Sequence, residues 1–181
     1  MSIDHRPKLV RRVVTGVNAE GHSAVASDAE TPTWVQRPTG SVIMDIWGVQ
    51  SVPAQVIDES TGDLDRVLAP PVTGVNVRIA VFPPEVFSAD AVTVAAIDTP
   101  IGDFQGEEGD ASSRQIPGMH RTDTVDIVTV LDGEITVILE EGETILRAGD
   151  CLVQRGTMHA WRNRSDRPCT LASTMIAGVR A

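Results

Sequence analysis

Gly118-Met119-His120-Arg121-Thr122-Asp123-Thr124-Val125-Asp126-Ile127-Val128-Thr129-Val130-Leu131-Asp132-Gly133 is the stretch whose reading decides the fold. Side chains alternate faces along a strand, so an extended segment here projects His120, Thr122, Thr124 and Asp126 together with Val128 and Val130. Arg121, Asp123, Val125 and Ile127 take the other face. One face thus carries an imidazole, hydroxyls and a carboxylate before it turns apolar, a pattern odd for a core and natural at the mouth of a barrel. Asp132-Gly133 is a two-residue hairpin signal, and Glu134 to Glu140 reads as the returning strand.

Downstream, short strands follow one another at regular intervals. Glu141-Gly142 turns into Thr144–Leu146, Arg147 to Asp150 turns into Cys151–Gln154, and the Arg155-Gly156-Thr157 corner leads to His159–Asn163. After Asp166-Arg167-Pro168, Thr170 to Ile176 forms a last strand. Such punctuation predicts a β-sandwich or barrel, and no segment predicts a helix.

Upstream, Lys8–Val14 and His22–Ser27 predict a hairpin-like opening around Asn18–Gly21, and Ser41–Gly48 predicts an apolar strand. Residues 51–73, broken by Pro53, Gly62, Pro70 and Pro71, read as a long excursion. Gly74–Phe82 alternates with period two: Val75, Val77, Ile79 and Val81 share one face, and Asn76, Arg78 and Ala80 the other. Arg78 faces either solvent or a polar cavity. Ala91–Ile97 is a further apolar run, and the acidic stretch 102–113 reads as a loop, either a lid or merely solvated.

The chain has 181 residues and is 41% hydrophobic, enough for one domain with a core. A formal charge of -10, with Lys8 the only lysine, argues against nucleic acid. No apolar run approaches the ~18 residues of a membrane span, so no membrane partner is expected. Cys151 and Cys169 lie outside any Cys-x-x-Cys spacing, which suits a reduced, cytoplasmic protein. Cys151, on an apolar strand, is expected to be a buried, inert thiol, and His5 and His22 are expected at the surface.

His159 and Trp161 share parity on a later strand. If the sheet closes, His120, Asp126 and His159 can converge as a two-histidine, one-carboxylate donor set for a divalent metal. The alternative is a metal-free polar cluster in which Asp126 accepts hydrogen bonds from His120 or Thr124. Trp161 either walls the cavity or packs in the core, and the same two roles are open to Trp47. Arg155 sits at a corner, either solvated or able to orient a substrate carboxylate.

These residues resemble the cupin motifs. The first, of the form G-x5-H-x-H-x3,4-E-x6-G, is similar to the segment from His120 through Asp126 to Gly133. The second, G-x4,5-P-x-G-x2-H-x3-N, is similar to Gly149-Asp150, then Gly156-Thr157-Met158-His159, then Asn163. The chain departs from the pattern at Thr122, where cupins have a second metal-binding His, at Asp126, where they have Glu, and at Gln154, where they have Pro. The resemblance implies an all-β, cupin-like double-stranded β-helix, a jelly-roll barrel with an N-terminal strand extension. Residues 1–181 would form one domain, with the extension over 1–73 and the barrel over 74–181 carrying motifs at 118–133 and 149–163.

The resemblance also implies a divalent ion (Zn, Mn, Fe or Ni) on His120, Asp126 and His159, which would be the catalytic residues as well. Thr122, Arg78, Trp47 and Trp161 would contact a small-molecule substrate, and small cupins commonly form homodimers. Three functions follow: a metal-dependent lyase or isomerase acting on a carbonyl- or carboxylate-containing metabolite, a non-heme iron dioxygenase, and a non-catalytic binding module. The first is the reading carried forward.

Overall fold

The computed structural model describes residues 7–37, 39–56, 69–85, 116 and 118–180. Its strands are β1 (Arg11–Val17), β2 (Ser23–Glu30), β3 (Thr33–Gln36), β4 (Val42–Val49), β5 (Val75–Phe82), β6 (Thr124–Asp132), β7 (Glu134–Leu139), β8 (Glu143–Arg147), β9 (Cys151–Gln154), β10 (His159–Arg162) and β11 (Cys169–Ala177). No helix occurs among the described residues, so none is long and apolar enough to cross a membrane. The run at 91–97 and the acidic stretch at 102–113 lie outside the described residues.

β1 and β2 pair as a separate two-stranded sheet, the hairpin-like opening expected from the sequence. The other strands form a six-stranded sheet in the order β3-β4-β5-β11-β6-β9 and a three-stranded sheet in the order β10-β7-β8. The two sheets face one another across one apolar core. Val128, Val130 and Leu171 come from the larger sheet, Ile135, Val137 and Leu146 from the smaller, and Phe82, Leu139, Leu152 and Trp161 pack around them. Each such side chain fully withdrawn from water contributes roughly 1.5–3 kcal/mol. This is the all-β, double-sheet architecture expected from the sequence.

One local expectation is corrected. Asp132-Gly133 does not close a hairpin, because β6 and β7 belong to different sheets. Gly133 is instead a corner: its φ is +80°, and a Cβ there would lie 2.6 Å from the Pro168 carbonyl oxygen, so only glycine lets the chain cross. The hairpin lies one strand later, where β7 and β8 pair.

Paired residues on neighbouring strands share a face. One row of the large sheet therefore reads Gly48, Asn76, Met175, Asp126, Gln154, and the next reads Asp45, Arg78, Ser173, Val128, Leu152. Val128 and Leu152 belong to the core between the sheets, so both rows face inward. The barrel interior is apolar around Val130 and Leu171 and turns polar toward Asn76 and Asp126. The outer side of β4 and β5 is covered separately, by a second cluster in which Leu9, Val42 and Met44 pack with Trp34, Ile79 and Val81.

Candidate functional site

His120 and His159 meet directly. Their backbones form an isolated antiparallel bridge, with each N–H donating to the other's carbonyl at 2.9 Å. Residues in such a register carry their side chains on one face, and the ring centroids stand 4.5 Å apart with 49° between planes. Gly156 makes this approach possible. It has φ +60°, and a Cβ would come within 2.9 Å of the Thr122 carbonyl oxygen, so the corner before β10 can lie against the lead-in to β6. Gln154 braces the same corner by donating from Nε2 to the Thr157 carbonyl at 2.8 Å and to its Oγ1 at 2.6 Å.

Each imidazole has a fixed tautomer. His120 Nδ1 lies 2.9 Å from the Gly118 carbonyl and His159 Nδ1 lies 2.9 Å from the Thr157 carbonyl. A carbonyl only accepts, so each Nδ1 donates and each neutral ring keeps its lone pair on Nε2. Burial drives both rings toward the neutral form. His120 is lowered to about 4, chiefly by desolvation, then by His159, with Arg37 adding to the effect. Desolvation lowers His159 as well, against the opposing Thr157 hydrogen bond.

Asp126 stands apart from this pair. Among the described residues, no three His, Cys, Asp or Glu side chains are close enough to hold one ion. The expected convergence of His120, Asp126 and His159 is therefore corrected. Shared parity places His120 and Asp126 on one face, but six residues at about 3.3 Å each can separate them by up to about 20 Å. The imidazole tautomers suit a metal, but Asp126 does not join them as a third donor, so His120, Asp126 and His159 do not by themselves fit the implied three-donor centre.

Asp126 is itself buried, with its carboxyl raised by desolvation against the lowering effects of a Thr124 hydrogen bond and the Arg78 charge. Its Oδ1 has no hydrogen-bond partner among the described residues. Thr122 joins Thr124 at 2.6 Å between hydroxyls, which leads from the histidine end of the segment toward Asp126.

The remaining candidates divide by face. Trp161 meets His159 edge-on, with centroids 5.7 Å apart at 83°, and packs on the apolar core with its other side. It both walls the pair and fills the core. Arg78 points inward, buried in an ion pair with Asp45, with Nη1 3.6 Å from Met175 Sδ. Trp47 is not brought to the site. A register shift between Asp45 and Trp47 pairs it with Val77, whose face is opposite that of Asn76 and Arg78, and Arg12 lies 6.0 Å over its ring.

Cys151 also departs from expectation, being exposed where a buried thiol was expected. It sits on edge strand β9, with Leu152 and Gln154 taking the inward positions. Cys169 is the buried thiol, pushed up to about 11 by desolvation first and by Asp132 next. Arg155 is exposed at its corner.

Sequence reasoning missed Arg37 and Asn76. Arg37 follows β3, and its charge acts on His120, while burial first and Arg78 second lower its own pKa to about 10. Asn76 sits on the polar face of β5, where the sequence alternation had already set it beside Arg78, yet an asparagine there carries no motif.

Comparison with known proteins agrees with the motif resemblance. Residues 108–176 match the family model of the cupin domain. A phomopsin biosynthesis cluster protein of Diaporthe leptostromiformis is 60% identical over 48 residues, 26% of this chain and 25% of that protein. A cupin-domain-containing oxidoreductase of Neurospora crassa is 45% identical over 60 residues, 32% of this chain and 31% of that protein. The chain thus matches well under half the length of these relatives. An ethanolamine utilization protein Q of Salmonella typhimurium is 10% identical at TM-score 0.45, over 96% of this chain and 100% of that one.

Proposed function

We propose that this chain, a member of the cupin superfamily through residues 108–176, is an enzyme that moves a proton on a small carbonyl- or carboxylate-containing metabolite in lyase-type or isomerase chemistry. The observation that carries the reading is the His120–His159 pair, two imidazoles in contact with both Nδ1 atoms tied to backbone carbonyls. A general base needs a fixed lone pair within reach of the proton it takes. The tautomers supply one at each Nε2.

In this reading a proton on the carbon beside the substrate carbonyl passes to Nε2 of one ring, and the bonding pair it leaves is delocalised onto the carbonyl oxygen. The second, neutral ring limits the pair to one charge at a time, because two imidazolium ions 4.5 Å apart repel. Return of the proton to the former carbonyl carbon, as the proton of a hydroxyl on the deprotonated carbon passes to the carbonyl oxygen, completes an isomerisation. Its delivery to a leaving hydroxyl completes a dehydration. The charge of Arg37, felt at His120, favours an anionic substrate. Because Asp126 stands outside the pair, the chemistry is proposed to run on side chains alone.

Deuterium exchange tests this directly. The full chain is incubated in D2O with a panel of 2-oxo and 3-oxo acids, and loss of C–H signal is followed by proton NMR. Exchange that survives EDTA and disappears in His159→Ala supports the reading. Exchange that stops on chelation and returns with a divalent ion contradicts it.

A second reading rests on the matched stretch shared with the Neurospora crassa oxidoreductase. Under it the same lumen serves an oxidation, and oxygen uptake with that panel, without C–H exchange, is the result that would favour it.

A further inference from the structure

Two asparagines are almost wholly buried, Asn76 at 0% exposure and Asn163 at 2%, and their surroundings are opposite. Asn163 donates from Nδ2 to the Phe82 and Arg167 carbonyls, both at 2.8 Å, and its Oδ1 accepts from the Ser165 N–H and hydroxyl at 3.0 and 2.7 Å. That amide stitches the end of β5 to the turn before β11. At Asn76, neither Oδ1 nor Nδ2 has a hydrogen-bond partner among the described residues. A buried amide left unpaired opposes folding, so its retention calls for a partner beyond the described residues.

The placement of Asn76 says where that partner sits. It lies in the inward row beside Met175, with Asp126 one strand further and Arg78 in the adjacent row. Asp126 Oδ1, likewise without a partner, belongs to the same row. The polar end of the lumen therefore contains an adjacent donor and acceptor on one amide.

We infer that Asn76 reads the substrate, and that the group it reads is a 2-hydroxy acid. The hydroxyl donates to Asn76 Oδ1 while a carboxylate oxygen accepts from Nδ2, a two-point match to neighbouring atoms of one planar amide. A plain carboxylate has acceptors only. It meets Nδ2 and leaves Oδ1 facing another oxygen. This inference rests on the proposed function above and on Asn76 serving the same site as the histidine pair, and it narrows that site's substrate class.

The test uses the full chain, wild type and Asn76→Leu, with DL-lactate and propionate as probes that differ by the hydroxyl. Affinities are read from NMR titrations and stability from thermal melts. Wild type should bind lactate at least fivefold more tightly than propionate. Asn76→Leu should lose that preference and melt a few degrees higher, because the unpaired amide is gone. Equal wild-type affinities would overturn the inference while leaving anion binding in the lumen intact. A lower melting temperature in Asn76→Leu would also overturn it, showing an amide satisfied within the fold or by ordered water only. Binding of neither acid would remove it together with the anionic-substrate reading.

Discussion

His120 and His159 face one another across an antiparallel bridge at a centroid separation of 4.5 Å. Neither ring reaches this position through one continuous strand. β10 begins at His159, while His120 lies ahead of β6, which starts at Thr124. The contact is therefore made by the Gly156 corner closing on the segment 120–124. It holds two proton acceptors side by side.

Acid should weaken the fold through these rings. His120 is lowered to about 4 from 6.5, so the unfolded chain takes up the proton first as pH falls. The stability present above about 6.5 is then lost as pH drops from there toward 4, at up to about 1.4 kcal/mol per pH unit for each such histidine. Urea denaturation at successive pH values measures the slope, and His120→Gln should flatten it.

Asp126 works in the opposite sense. Its folded carboxyl is raised by desolvation, so the buried charge costs stability at neutral pH and the cost fades as the group protonates. Asp126→Asn should stabilise the chain at pH 7. The gain should shrink as pH falls through the raised value and vanish below the ordinary carboxylate range. Paired thermal melts at pH 7 and pH 3.5 check both halves.

Arg78 and Asp45 form a buried pair with side-chain exposures of 7% and 11%. Breaking such a pair leaves an uncompensated charge, so Asp45→Ala should cost about 3–5 kcal/mol by urea denaturation.

Asn163→Ala should cost about 2–4 kcal/mol, because it leaves the Phe82 and Arg167 carbonyls and the Ser165 groups without their partner. The measurement is the same denaturation curve. The contrast with Asn76→Leu, expected to stabilise, separates an asparagine that holds the fold from one that faces the ligand.

The strand series was legible in the sequence because period-two runs and turn residues are local signals. β9 begins and ends where expected, β5 and β10 differ by one residue at one end, and β4, β8 and β11 by one residue at each end. What local signals do not carry is which strands pair. Asp132-Gly133 has hairpin composition, yet the same left-handed glycine also serves a corner between sheets, and Pro168 packing at Gly133 selects the corner. Trp47 was assigned to a possible cavity wall because the irregularity between Asp45 and Trp47, which pairs it with outward-facing Val77, leaves no mark in the sequence. The histidine pair was legible through motif spacing. The separation of Asp126 was not, since parity fixes a face and leaves distance along it open. Arg37 and Asn76 matter only through tertiary placement.

The ring nitrogens of the four histidines provide the decisive measurement. Long-range proton–nitrogen correlation spectra of the full chain should be recorded from pH 4 to 8, before and after EDTA. Two rings should carry the proton on Nδ1, stay neutral below pH 6.5 and be unmoved by chelation. A spectrum in which no ring keeps its proton on Nδ1, or in which ring signals shift when EDTA is added, would contradict a pair of fixed, metal-independent bases.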